Sequence, residues 1–162
     1  MILLLFVDGL VFTVTLEGYL AAIDSRNGNI VRMTKLKMKN KDWDSNLTPE
    51  QNYILKQEGT EPPGSSPLNN EKREGTYHCA GCGIKLFESN MKFDSGTGWP
   101  SFFKSLPDVF ETKTDHLIGY PRTEYHCKNC KGHHGHLFDD GPKPTGKRYC
   151  NNGTCLVFKP KK

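Results

Sequence analysis

The amino-acid sequence predicts a mainly β fold, an antiparallel sheet or barrel, and two observations lead there. Sixteen glycines and ten prolines in 162 residues, with 35% hydrophobic content, leave little room for long helices, because helix interiors tolerate neither residue. Short runs of strand character also recur along the whole chain, separated by turn residues. A chain of this length buries about two thirds of its unfolded surface, enough for one enzyme-sized domain with an appendage.

Taken in order, residues 1–34 alternate apolar runs with turn signals: Ile2 to Val7, Leu10 to Leu16, Tyr19 to Ile23 and Ile30 to Met33, split by Asp8-Gly9, Glu17-Gly18 and Asn27-Gly28. Such spacing predicts hairpins. Leu16 to Val31 resembles one blade of a quinoprotein-type β-propeller, in a single copy that has no neighbouring blade in sequence to cover its faces. Lys35, Lys37, Lys39 and Lys41 alternate with uncharged residues and mark a linker, so residues 1–42 are set apart as an extension and 43–162 as the main domain. Met1 to Phe6 lacks a basic leader and is interrupted by Asp8, which makes it neither a signal peptide nor a membrane span.

Thr48-Pro49-Glu50-Gln51 places a hydroxyl at a helix N-cap, proline in the first turn and glutamine where a capping box needs it, and Gly59 marks the stop. Residues 60–75, rich in Pro, Gly, Ser and Asn, are expected to wrap the surface. Strand candidates follow at Lys85 to Glu88, Met91 to Asp94, Val109 to Lys113, Thr123 to His126, His136 to Phe138, Arg148 to Cys150 and Leu156 to Lys159.

The net charge of +4 is unevenly spread, with thirteen Lys/Arg against eight Asp/Glu after residue 75. That excess is too mild to predict a nucleic-acid partner. Six cysteines are few for a disulfide scaffold, and four of them form the pairs Cys79-Ala80-Gly81-Cys82 and Cys127-Lys128-Asn129-Cys130. Two such knuckles predict one tetrahedral zinc bound at about 2.3 Å per sulfur, structural because four thiolates leave no open position. The competing reading, a redox CxxC, wants a helix beside a βαβ pattern, and neither is visible. His78 and His126 flank the knuckles and are read as bystanders.

Cys150 belongs to no pair. It follows Arg148 and Tyr149 and comes after His133, His134 and His136, a setting in which imidazoles could hold a thiolate or shuttle its proton. The plain alternative is a small buried cysteine opening a last strand.

Phe93-Asp94-Ser95-Gly96-Thr97-Gly98-Trp99-Pro100-Ser101-Phe102, His133 to Phe138 and Arg148-Tyr149-Cys150-Asn151-Asn152 together resemble the B-type methionine sulfoxide reductases, and the resemblance extends over about residues 43–158. It implies a twisted antiparallel, barrel-like β core with one or two short N-terminal helices and the four-cysteine zinc site. It implies thiol-dependent reduction of protein-bound methionine-R-sulfoxide through a sulfenic acid on Cys150, with His136 and His133 delivering a proton and Asn152 beside the thiol. By the same resemblance Trp99, Phe138 and Arg148 contact the substrate. Sulfur groups also favour aromatic faces, by about 0.3–1.5 kcal/mol.

Oxidised proteins as substrates, thioredoxin or another thiol as reductant, a monomeric state and a cytoplasmic location are the accompanying expectations, with no nucleic acid and no membrane. A zinc-dependent binding module for protein or nucleic acid is the alternative. Three departures stand out: His134 where many members are apolar, Thr97 where some carry a resolving cysteine, and residues 1–40 without a counterpart. Residues 148–158 are expected to form one continuous strand that keeps Cys155 away from Cys150; the rival is an Asn152-Gly153 hairpin that sets them opposite each other.

Overall fold

The computed structural model describes residues 5–14, 19–35, 46–116 and 119–161. The chain divides into two compact units, Met1–Lys41 and Asp42–Lys162.

The first unit is a four-stranded antiparallel meander of β1 (Leu5–Val7), β2 (Leu10–Val14), β3 (Tyr19–Asp24) and β4 (Ile30–Lys35), paired in chain order. Asp8 and Gly9 both take positive φ, 48° and 76°, as a two-residue hairpin loop requires. Ala21 and Ala22 are buried, while Ile30, Val31 and Met33 are exposed. The predicted linker lies largely outside the described residues, as does the Glu17-Gly18 turn.

In the second unit, α1 (Pro49–Gln57) begins with the predicted capping box: Thr48 accepts from the Gln51 N–H and the Gln51 side chain accepts from the Thr48 N–H. It ends one residue before Gly59, at Glu58 in the left-handed region. This is the only α-helix among the described residues, and no helix among them is long and apolar enough to cross a membrane.

The remaining strands form two antiparallel sheets. One holds β5 (Gly75–Cys79), β6 (Lys85–Glu88) and β13 (Leu156–Pro160), in the order β13-β5-β6. The other holds β7 (Lys92–Phe93), β8 (Ser101–Phe102), β9 (Phe110–Asp115), β10 (Arg122–Cys127), β11 (His133–Phe138) and β12 (Arg148–Asn151), in the order β7-β8-β12-β11-β10-β9. Tyr77, Leu86, Phe87, Phe102 and Tyr125 fill the core, and Phe87 stacks on Phe102 with ring centroids 4.0 Å apart. β5 and β8 are not among the strand candidates; β8 is only two residues long.

Residues 60–74 stay outside the sheets, as expected, though Glu61 and Ser66 are buried. One expectation fails. Residues 148–158 are neither one strand nor a hairpin: a 3₁₀ turn at Gly153–Cys155 separates β12 from β13, which belong to different sheets. The cause is Glu61. Its carboxylate accepts from the Gly153 and Thr154 N–H groups, at 2.6 and 2.8 Å, and from the Thr154 hydroxyl. A buried carboxylate gathering these donors takes them from any strand ladder, because charge-assisted bonds are about twice as strong as neutral ones.

Candidate active site and metal centre

Register places the chemistry-bearing residues in one row across the six-stranded sheet. Cys150 pairs with His136 on one side and Ser101 on the other, and His136 pairs in turn with Glu124, which pairs with Lys113. Directly opposed residues share a face of a sheet, so Cys150, His136 and Glu124 do too. Arg148 and Phe138, themselves cross-strand partners, stand two residues away on the same face.

His133 joins them through an irregularity. It lies three positions before His136, an odd offset that in a regular strand would place the two on opposite faces. The pairing with β10 shifts there: Tyr125 faces Gly135, but His126 faces His133. The extra residue, His134, is a β-bulge that returns His133 to the Cys150 face. His134 itself points the other way, toward the core. Gly135 cannot be replaced locally, because a Cβ would sit 1.9 Å from the Cys150 carbonyl oxygen.

Two histidines of the row are backed by carboxylates. His136 Nε2 lies 2.9 Å from Asp115 Oδ2, and His133 Nδ1 contacts Glu124 Oε1. Burial pulls both imidazoles below their ordinary pKa; His133 falls to about 3, with His136 and His126 adding to the effect. For His136, Asp115 opposes that pull. Both rings are therefore neutral near pH 7 at rest.

Cys150 is half-buried, and burial raises its thiol pKa. The groups pulling the other way are the Arg148 guanidinium and the Thr97 hydroxyl. The histidines, read from sequence as able to hold the thiolate or shuttle its proton, are not among the leading influences on the thiol. Arg148 is fixed by a bidentate ion pair with Asp140, both contacts at 2.8 Å, and lies over the Phe138 ring at 4.3 Å.

The loop before β8 supplies Trp99, half-buried, whose indole N–H donates to the Glu61 carbonyl at 3.1 Å. Trp99 lines a cavity of about 240 Å³ together with Phe93, Asp94, Gly98 and Asn69. The Asn152 side chain, buried after β12, accepts from the Glu61 N–H at 3.0 Å and donates to the His134 carbonyl at 3.1 Å. Its amide thus ties the 60s loop to the bulge. Cys155 lies apart, buried with Ile54 and Leu55 under α1, its thiol 3.5 Å from the His133 carbonyl.

On the far side of the bulge the four knuckle sulfurs gather within 4.8 Å of one another. The two knuckles share one backbone pattern: the N–H of Gly83 donates to the Cys79 carbonyl and that of Lys131 to the Cys127 carbonyl, both at 2.8 Å. Gly83 and Lys131 each take positive φ. Cys79–Cys130 and Cys82–Cys127 approach to 3.6 Å between sulfurs, close to the roughly 3.8 Å edge of a zinc–thiolate tetrahedron with 2.3 Å bonds. The donor set therefore fits a tetrahedral, thiophilic metal.

Hydrogen bonds among the sulfurs push Cys79 and Cys130 up and Cys82 and Cys127 down in pKa. Four adjacent thiolates need a cation to coexist. His134, fully buried and neutral, places Nε2 3.4 Å from Cys79 Sγ. His78 bonds Thr76 and the Gly83 carbonyl instead of a sulfur, and His126 turns to Glu124.

Sequence reading missed Glu124, Asp115, Asp140 and Glu61. Only pairing register could have revealed the first two, and the last two act across loops.

The SelR domain model matches residues 47–160. The chain is 49% identical over 131 residues to the peptide methionine sulfoxide reductase MsrB of Pseudomonas putida (strain W619), covering 80% of this chain and 98% of that protein. Its namesake from Agrobacterium fabrum is 48% identical over 127 residues, covering 78% and 94%. The one from Methanosarcina mazei is 47% identical over 125 residues, covering 76% and 89%.

Proposed function

The chain belongs to the SelR family of B-type methionine sulfoxide reductases, and we propose that this peptide-methionine (R)-S-oxide reductase works through a sulfenic acid formed on Cys150. The row Cys150–His136–Glu124, with His133 returned to it by the bulge, is the observation that supports this reading. Its residues hold a nucleophile and two proton carriers on one face.

The substrate is a methionine-R-sulfoxide side chain of an oxidised protein, its methyl group against the Trp99 indole and Phe138 bordering the pocket. Arg148 and Thr97 favour charge on the sulfur, so Cys150 attacks as a thiolate while its proton passes to an imidazole. The sulfoxide oxygen becomes a leaving group only when protonated; His136, through the nitrogen not spent on Asp115, and His133 supply that proton. Oxygen moves from the substrate sulfur to Cys150, so Cys–SH and sulfoxide become Cys–SOH and thioether, with atoms and electrons balanced. A thiol then displaces water from the sulfenic acid to give a mixed disulfide, and a second thiol releases Cys150.

Asn152 holds the backbone behind this row. Cys79, Cys82, Cys127 and Cys130 would hold zinc, which supplies a structural clip with no open coordination position. Because Thr97 offers no thiol and Cys155 is buried under α1, we assign resolution to an external thiol such as thioredoxin. A monomer in a reducing, cytoplasmic compartment completes the proposal; the pairing of four of the six cysteines into metal-ligand knuckles is what favours the reducing compartment. The reductase unit takes in residues 43–162, with 1–42 as an extension.

The test is turnover of dabsylated methionine sulfoxide with dithiothreitol. The wild type is expected to reduce the R epimer at least about tenfold faster than the S epimer, and folded Cys150→Ser to show no turnover. Equal use of both epimers, or a fully active Cys150→Ser, would overturn the reading, and no turnover by the intact, zinc-replete wild type would overturn it in favour of a zinc-dependent binding module.

A further inference from the structure

Glu124, in the Cys150 row, is a buried carboxylate that the mechanism above leaves without a task. It is 2% exposed, on β10 between β9 and β11. A carboxylate removed from water needs partners to stay charged, and Glu124 has three. Its Oε1 contacts His133 Nδ1 and lies 3.0 Å from His126 Nε2, while Oε2 lies 3.3 Å from Lys113 Nζ. Lys113 also bonds Glu58 at the end of α1, whose carboxylate is 3.6 Å from His126 Nε2. His136, Asp115 and Arg122 complete the charged surroundings on this face.

His133 is 1% exposed, and among the described residues neither ring nitrogen, nor Glu124 Oε1, completes a hydrogen bond; Nδ1 and Oε1 stand in close contact off the bonding direction. A carboxylate in close contact with Nδ1 repels a lone pair there and favours the Nδ1–H tautomer, which leaves the lone pair on Nε2. Glu124, His126 and His133 lie close enough together to ligate a metal. The Lys113 ammonium already supplies positive charge at that carboxylate, which favours a charge-paired relay over a metal site.

We propose that Glu124 is a positioning residue for the reductase: it holds His133 in the Nδ1–H form, aims Nε2 at the reacting groups, and stabilises the imidazolium that forms when His133 takes the Cys150 proton on its way to the sulfoxide oxygen. This rests on the role of His133 as a proton carrier. Lys113 sets a cation beside the carboxylate, and Glu58 ties the assembly to α1. Glutamine at 124 keeps the shape but cannot balance the cation, so the loss falls on turnover rather than on binding.

Nitrogen-15 NMR of the folded protein, with the His133 signal assigned by its loss in His133→Gln, should show Nδ1 protonated and Nε2 free in the wild type. Glu124→Gln should redistribute that proton and lower kcat by about 10–100-fold, with KM changed less than about twofold. Glu124→Asp should restore part of the rate. A wild-type proton on Nε2, or Glu124→Gln with kcat unchanged, overturns the proposal, as does a loss confined to KM. The wild-type spectrum decides even if a variant fails to fold. Absent turnover in the wild type would instead count against the reductase chemistry.

Discussion

Cys150 lies between opposing influences: burial raises its pKa, while Arg148 and Thr97 lower it, and burial prevails. The resting enzyme therefore keeps a thiol, which protects the sulfur from adventitious oxidation because only the thiolate is strongly nucleophilic. The sign is open to direct measurement. Alkylation of Cys150 by iodoacetamide, followed on its own peptide by mass spectrometry, should rise through a midpoint above the ordinary thiol value of about 8.5. Arg148→Met removes the cation that favours the thiolate, so its midpoint should lie higher still. A wild-type midpoint below the ordinary value, or a downward shift in Arg148→Met, would reverse this assignment. Cys150, the histidines and Arg148 were visible in sequence as residue types in a suggestive order. Which group acts on the thiol was not, because that depends on side-chain direction across strands.

β11 has two jobs, one per face. Its bulge sends His133 and His136 toward Cys150 and His134 toward the Cys79 sulfur, so one strand couples the reductase row to the metal centre. The knuckles themselves were legible from CxxC spacing alone, as was α1 from its capping box. The bulge was not, since nothing in His133-His134-Gly135-His136 announces a register shift except the glycine, whose missing Cβ allows close approach to β12. The break after β12 was equally hidden, because it depends on Glu61, ninety-two residues from the Gly153 N–H it accepts. If the knuckles hold a structural zinc, Cys79→Ser should lose about one metal per chain and several kcal/mol of stability. Full metal content by atomic absorption with an unchanged melting temperature would exclude that site.

Among the described residues, the molecule joins a four-stranded N-terminal meander to a second unit of two antiparallel sheets and one α-helix. The fold class was readable because turn residues punctuate the chain at strand-length intervals, and the family because separated motifs keep their order. Strand pairing was not readable: the order β7-β8-β12-β11-β10-β9 brings Ser101 and Lys113 into the row of Cys150 through non-local contacts. The central claim is that oxygen passes from substrate sulfur to Cys150. It is tested most directly by mass spectrometry of the wild type after a single turnover with methionine-R-sulfoxide peptide, without reductant and with dimedone present. One dimedone adduct per chain, on Cys150 alone and in amount equal to the methionine formed, is the predicted result. Methionine formed with Cys150 unmodified, or a Cys150–Cys155 disulfide in place of the adduct, would contradict the account.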